Sequence, residues 1–71
     1  MLSIYTNLKK NRFFLTEKHG GHYIIVEQDF KGKNVRKIGG VYLTREAAEK
    51  ALASYADDSG FRWCGRQMED D

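Results

Sequence analysis

Apolar positions in the first part of the chain come in short aromatic and β-branched runs parted by glycine. Arg12-Phe13-Phe14-Leu15-Thr16-Glu17-Lys18-His19 and His22-Tyr23-Ile24-Ile25-Val26-Glu27-Gln28 flank Gly20-Gly21. Two such runs around a glycine pair predict a tight β-hairpin, because glycine takes the positive φ of a primed turn without a Cβ clash. A second turn over Asp29–Lys33, with Gly32 as its permissive residue, leads into a third strand, Asn34-Val35-Arg36-Lys37-Ile38. Gly39-Gly40 then interrupts that strand before Val41-Tyr42-Leu43, which marks a bulge, a bend or the close approach of another group.

From Thr44 the period changes from strand-like to helical. Thr44 suits an N-cap, Glu46 lies in the first turn where an acid favours the helix dipole, and Ala48, Ala51, Leu52 and Tyr55 recur at helical spacing. The segment 45–56 is therefore expected as a helix, ended by Asp57-Asp58-Ser59-Gly60. Phe61-Arg62-Trp63-Cys64-Gly65-Arg66-Gln67 reads as a short final strand, and Leu2-Ser3-Ile4-Tyr5 as an edge strand or a loosely attached arm. The expected fold class is α+β: a three-stranded antiparallel meander packed on one α-helix, with extra short strands at the N- and C-terminal ends. Both faces of the central strand are apolar, with Ile24 and Val26 on one and Tyr23 and Ile25 on the other, and one helix covers one face. The remaining face either receives the terminal segments or is offered to a partner.

At 71 residues the chain is expected to form one small domain over 1–71, with an acidic tail at 68–71, and folding hides only about 60% of so small a chain's surface. The single cysteine excludes an intramolecular disulfide, and its free thiol fits a cytoplasmic setting. No apolar run approaches the roughly 20 residues that cross a bilayer, so no membrane role is expected, and the first residues do not resemble a secretory leader. Charge is uneven. Residues 1–40 carry eight Lys/Arg against three Asp/Glu, a net of +5; residues 41–71 carry four against seven, a net of −3. Such a separation suits an anionic partner on one surface, and a solvated sheet edge guarded by lysines has the same composition.

Candidate chemistry is sparse. His19 and His22 would face each other across the hairpin with no obvious third metal ligand, and Cys64 lacks a motif that supplies a base or an oxyanion site. The glycine pairs fit neither a P-loop nor a dinucleotide fingerprint. The expectation is a non-enzymatic protein with no cofactor, no metal and no small-molecule substrate. The informative feature is a set of cationic and aromatic residues around the meander: Arg12, Lys18, Tyr23, Lys31, Lys33, Arg36 and Lys37. Lys and Arg meet phosphates, and a guanidinium or an aromatic on a sheet can reach base edges in a groove that admits a β-ribbon. The expected nucleic-acid-binding set is Arg12, Tyr23, Lys31, Lys33, Arg36 and Lys37. With Ile24 and Val26 under the helix, Arg36 would read bases from the helix-free face, and Lys37 would lie nearer the helix or the sheet edge.

From Gly21 to Ala56 the chain resembles the small DNA-binding domain at the front of phage and transposon tyrosine integrases and, more distantly, the AP2 domain of plant transcription factors. The resemblance rests on Tyr23–Val26, Gly32-Lys33, Arg36-Lys37, Gly39-Gly40, Thr44-Arg45-Glu46-Ala47-Ala48 and Ala51-Leu52. It implies three antiparallel strands on one helix with the exposed sheet face in the DNA major groove, and it implies Tyr23, Lys33, Arg36 and Lys37 as contacts. It implies no recombinase activity. In size and class the chain also resembles the small proteins with which phages inhibit host machinery, anti-CRISPR proteins included. That likeness gives the alternative: an inhibitor or adaptor that binds a host protein complex through Phe61, Arg62, Trp63 and Arg66. In it Trp63 either caps the end of the core or anchors the partner, and a homodimer is a further arrangement open to the chain.

Overall fold

The computed structural model describes residues 2–67, so the tail expected at 68–71 lies outside them. Its elements are β1 (Leu2–Asn7), β2 (Arg12–His19), β3 (His22–Asp29), β4 (Asn34–Tyr42), α1 (Arg45–Asp58) and β5 (Arg62–Gln67). The strands form one antiparallel sheet in the order β4-β3-β2-β1-β5. The α+β class and the meander are as expected, but the terminal segments extend the sheet to five strands. β1 is neither an edge strand nor an arm, because β5 pairs along its outer side.

The turns form where the local chemistry directs them. His19 pairs with His22 around Gly20-Gly21, and of the two glycines Gly20 alone has a positive φ, 59°, as a II′ turn requires at its first central position. In the next turn Gly32 takes φ 84°, and Asp29 Oδ1 accepts the backbone N–H groups of Lys31 at 2.9 Å and Lys33 at 3.0 Å. Ile24 pairs with Val41 while Ile25 pairs with Ile38, so Gly39-Gly40 forms a bulge in β4. Gly39, at φ 71°, lies beneath the helix, where a Cβ would sit 2.8 Å from the Tyr55 hydroxyl and 3.1 Å from that of Tyr42. Bulge and close approach thus coincide at one residue.

Thr44 caps the helix, its Oγ1 accepting the Ala47 N–H at 3.2 Å. The helix continues past Ala56 to Asp58, and its buried stripe is Ala48, Leu52 and Ala56, with Tyr55 turned partly to solvent. These alanines let the helix lie close on Phe14, Ile25, Ile38 and Phe61, while Leu2 and Tyr23 pack around Ala48. Phe61 stacks on Phe14 with ring centroids 3.8 Å apart. Ser3 ties β1 to the helix by donating its N–H to Glu49 Oε1 at 2.6 Å.

Directly paired residues share a face of the sheet, so Tyr23, Ile25 and Glu27 lie on the helix side with Phe14, Thr16 and Ile38. This reverses the expectation that Ile24 and Val26 pack under the helix. β3 is apolar on both faces, so its own pattern cannot choose between them. The register against Phe14 of β2 and Ile38 of β4 chooses.

The helix-free face carries a finish of its own. Among the described residues, Gln28 Nε2 donates to Asn34 Oδ1 at 2.8 Å, Asn34 Nδ2 donates to Glu17 Oε2 at 3.1 Å, and His19 Nε2 lies 3.0 Å from Glu17 Oε1. Glu17 stands in the row of Ile24 and Val41, and Asn34 in the row of Gln28, so their link crosses the intervening row of Leu15, Val26 and Lys37. Val26 is only 2% exposed although no helix lies over it.

A candidate nucleic-acid interface at the turn end of the sheet

Arg12 and Asp29 are paired at the end of the β2–β3 ladder, which sets the turn before β2 beside the turn after β3. The first carries Lys9 and Lys10, the second Lys31 and Lys33. Asn7 shapes the first turn by accepting the Lys10 N–H on Oδ1 at 3.2 Å, and Asn11 holds φ 54°, a conformation asparagine tolerates better than most side chains. Between the turns lies a cleft of about 380 Å³ lined by Asn11, Arg12, Asp29, Phe30 and Lys31. Lys9, Lys10, Lys31 and Lys33 are exposed and make no ion pair among the described residues.

The single acid of the cleft is occupied. The backbone N–H of Lys33 above all, then that of Lys31 and the charges of Arg12 and Lys31, hold the Asp29 carboxyl below its ordinary value, against an opposing desolvation second in size only to the Lys33 hydrogen bond. Its charge serves its own turn. The arginines are tethered too: Glu27, with a side chain 12% exposed, places Oε1 2.7 Å from Arg36 Nε and Oε2 3.4 Å from Arg12 Nε. Arg12 Nη1 also donates to the carbonyls of Lys10 at 3.3 Å and Asn11 at 3.2 Å, while Nη2 takes part in none of these bonds.

Of the residues expected to contact nucleic acid, Arg12, Lys31 and Lys33 come together at this end. Arg36 is held by Glu27 on the helix side of the sheet, and Lys37, opposite Val26, is the one that points to the helix-free face. The faces expected for these two from the sequence are thereby exchanged. Tyr23 is 9% exposed, packed against Leu2 and Ala48, and lies off this surface. Lys9, Lys10 and Phe30 belong to the cationic end but escaped sequence reasoning. The adjacent lysines between Asn7 and Asn11 were the available signal. Asp57 and Asp58 close the helix at the same end, where Asn7 Nδ2 reaches the Gly60 carbonyl at 3.4 Å.

The residues of the alternative interface separate. Phe61 is a core residue and cannot anchor a partner, whereas Trp63 is 55% exposed on edge strand β5 and does not cap the core; Arg62 and Arg66 are exposed on the same strand. His19 and His22 stack with ring centroids 5.9 Å apart, and no group of three or more potential metal ligands occurs among the described residues. Cys64 is an exposed free thiol. No helix among the described residues is long and apolar enough to cross a membrane. The chain matches no protein-family model, no curated protein and no solved structure.

Proposed function

We propose that this protein is a small non-enzymatic binding module, of phage or mobile-element type, that engages nucleic acid through the cationic turn end of its sheet. The observation that carries the reading is the juxtaposition of two turns bearing Lys9, Lys10, Lys31 and Lys33 beside Arg12, with the four lysines outside any ion pair among the described residues. From β2 to β4 the helix-free face carries Phe13, Leu15, Ile24 and Val41 with the mutually hydrogen-bonded Glu17, Gln28 and Asn34, and Lys37 is the lysine on it. That composition favours contact through the turns over insertion of the sheet face into a groove. Lysines on turns meet phosphates, which position a ligand without reading its sequence.

Binding of labelled single- and double-stranded DNA across a salt series tests this. Three or four neutralised phosphates give a slope of log K against log salt of roughly −2 to −4. Lys31→Glu with Lys33→Glu should abolish binding, and Lys18→Glu at the opposite end of β2 should not. No binding of either DNA form at low salt would overturn the reading.

Trp63 favours a second reading, in which β5 docks on a host protein complex through Trp63, Arg62 and Arg66. Capture of one specific protein from the native host, lost with Trp63→Ala and free of nucleic acid, would put it first.

A further inference from the structure

The cationic end contains an aromatic ring that the fold does not enclose. Phe30 stands at the tip of the β3–β4 turn, 47% exposed, and lines the cleft with Arg12 and Lys31. One side of the ring leans on Phe13, with centroids 4.7 Å apart and planes at 33°. Phe13 supports the ring while nearly half of Phe30's surface stays in water. A ring backed by a second ring, flanked by cations and open on the solvent side, is the arrangement that single-strand binders use, where bases stack on aromatics while the phosphates follow a positive groove. Duplex DNA cannot use it, because its bases are already stacked and present only their edges in the grooves.

Resting on the reading above, we propose that the ligand is single-stranded nucleic acid and that Phe30 is the platform for one unpaired base. Arg12, which lines the cleft, suits the role of a phosphate donor. Glu27 and two backbone carbonyls fix its guanidinium, and Nη2 is engaged by none of them. Lys31 lines the cleft with the ring, and Lys10 and Lys33 stand exposed on the two turns that border it. Among the described residues Phe13 is the aromatic side chain that contacts the ring, so a base meets no aromatic competitor from them on the outer face.

The test compares an oligothymidylate of about 12 nucleotides, within the span of known single-strand sites, with an abasic strand of equal length and a duplex of equal phosphate number. Wild-type protein should bind the oligothymidylate about tenfold or more tighter than the abasic strand, because the two share phosphates and differ in bases. Phe30→Leu should lose that difference and keep both the salt slope and the affinity for the abasic strand, whereas Phe30→Trp should keep the difference. Equal wild-type affinity for the thymidylate and abasic strands, or preference for the duplex, would overturn the platform and leave the cationic interface standing. Absence of binding to all three ligands at low salt would overturn the cationic interface itself.

Discussion

Arg36 and Glu27 meet across β3 and β4 with Nε 2.7 Å from Oε1, and the same carboxylate holds Arg12 through its other oxygen. A glutamate with a side chain 12% exposed therefore couples two cations that stand far apart in the sequence. Arg36→Ala is expected to cost about 1 kcal/mol, a modest figure because Arg36 is itself well exposed and Arg12 still faces the carboxylate. Lys37→Ala should stay within about 0.5 kcal/mol of wild type. Urea unfolding of the two variants checks the contrast, and equal midpoints would deny the coupling.

Gly39 should tolerate no side chain. Its φ of 71° disfavours an L residue, and a Cβ there would press on the Tyr55 hydroxyl at 2.8 Å. Gly39→Ala is expected to destabilise by about 1–3 kcal/mol, part of it from backbone strain that no neighbour can relieve. Tyr55→Phe alone removes the hydroxyl that hydrogen-bonds Tyr42 and costs about 1 kcal/mol. The double variant should fall short of the sum of the two losses, because deleting the hydroxyl removes the closest contact of the new methyl group, while the Tyr42 hydroxyl at 3.1 Å and Tyr55 Cε2 at 3.2 Å remain.

Asp29 sets an acid-side dependence. Its carboxyl is held below its ordinary value of 3.8, chiefly by the Lys33 N–H, so the ionised form is favoured in the folded protein. A depressed folded value means that the stabilisation is complete above the ordinary carboxylate range and is lost as pH falls through the lower folded value. Asp29→Asn should therefore lose less stability than wild type as pH is lowered from about 4 to about 2. Unfolding curves of both proteins across that range would read the difference, and parallel curves would rule it out.

Phe61 and Trp63 lie two positions apart and should behave oppositely. Phe61→Ala empties a stacked core position and should cost about 3–5 kcal/mol, most of the stability of a domain this small. Trp63→Ala should cost less than about 1 kcal/mol, since more than half of its surface is already in water. Thermal unfolding monitored by circular dichroism would separate them.

The acids at the helix end oppose the proposed ligand. Asp57→Asn with Asp58→Asn should tighten nucleic-acid binding at low salt, and the gain should fade as the screening length falls to about 10 Å near 0.1 M. A gain that persists at high salt would point to a change in shape instead of charge.

What the sequence made legible was local. Gly20-Gly21, the Asp29–Gly32 turn, the Thr44 cap and the Gly39-Gly40 irregularity each follow from the conformational demands of a few neighbouring residues. The missing features depend on pairing between distant segments. β1 joins β5 from the opposite part of the chain, and β3, apolar on both faces, took its orientation from Phe14 and Ile38. The same register exchanged the faces on which Arg36 and Lys37 stand. Lys9 and Lys10 gained meaning only once β1 was paired with β2, which made their segment a turn beside Arg12.

The pairing of Leu2 with Gln67 places both ends of the described chain at one end of two antiparallel strands. Tension applied between residues 2 and 67 would act across that ladder at its terminal rung. The hydrogen bonds between β1 and β5 would then open in succession, each bearing the load alone, instead of resisting together as they would in shear. The protein should yield at low force by peeling off β5, while the β2–β3–β4 meander stays in place under the helix.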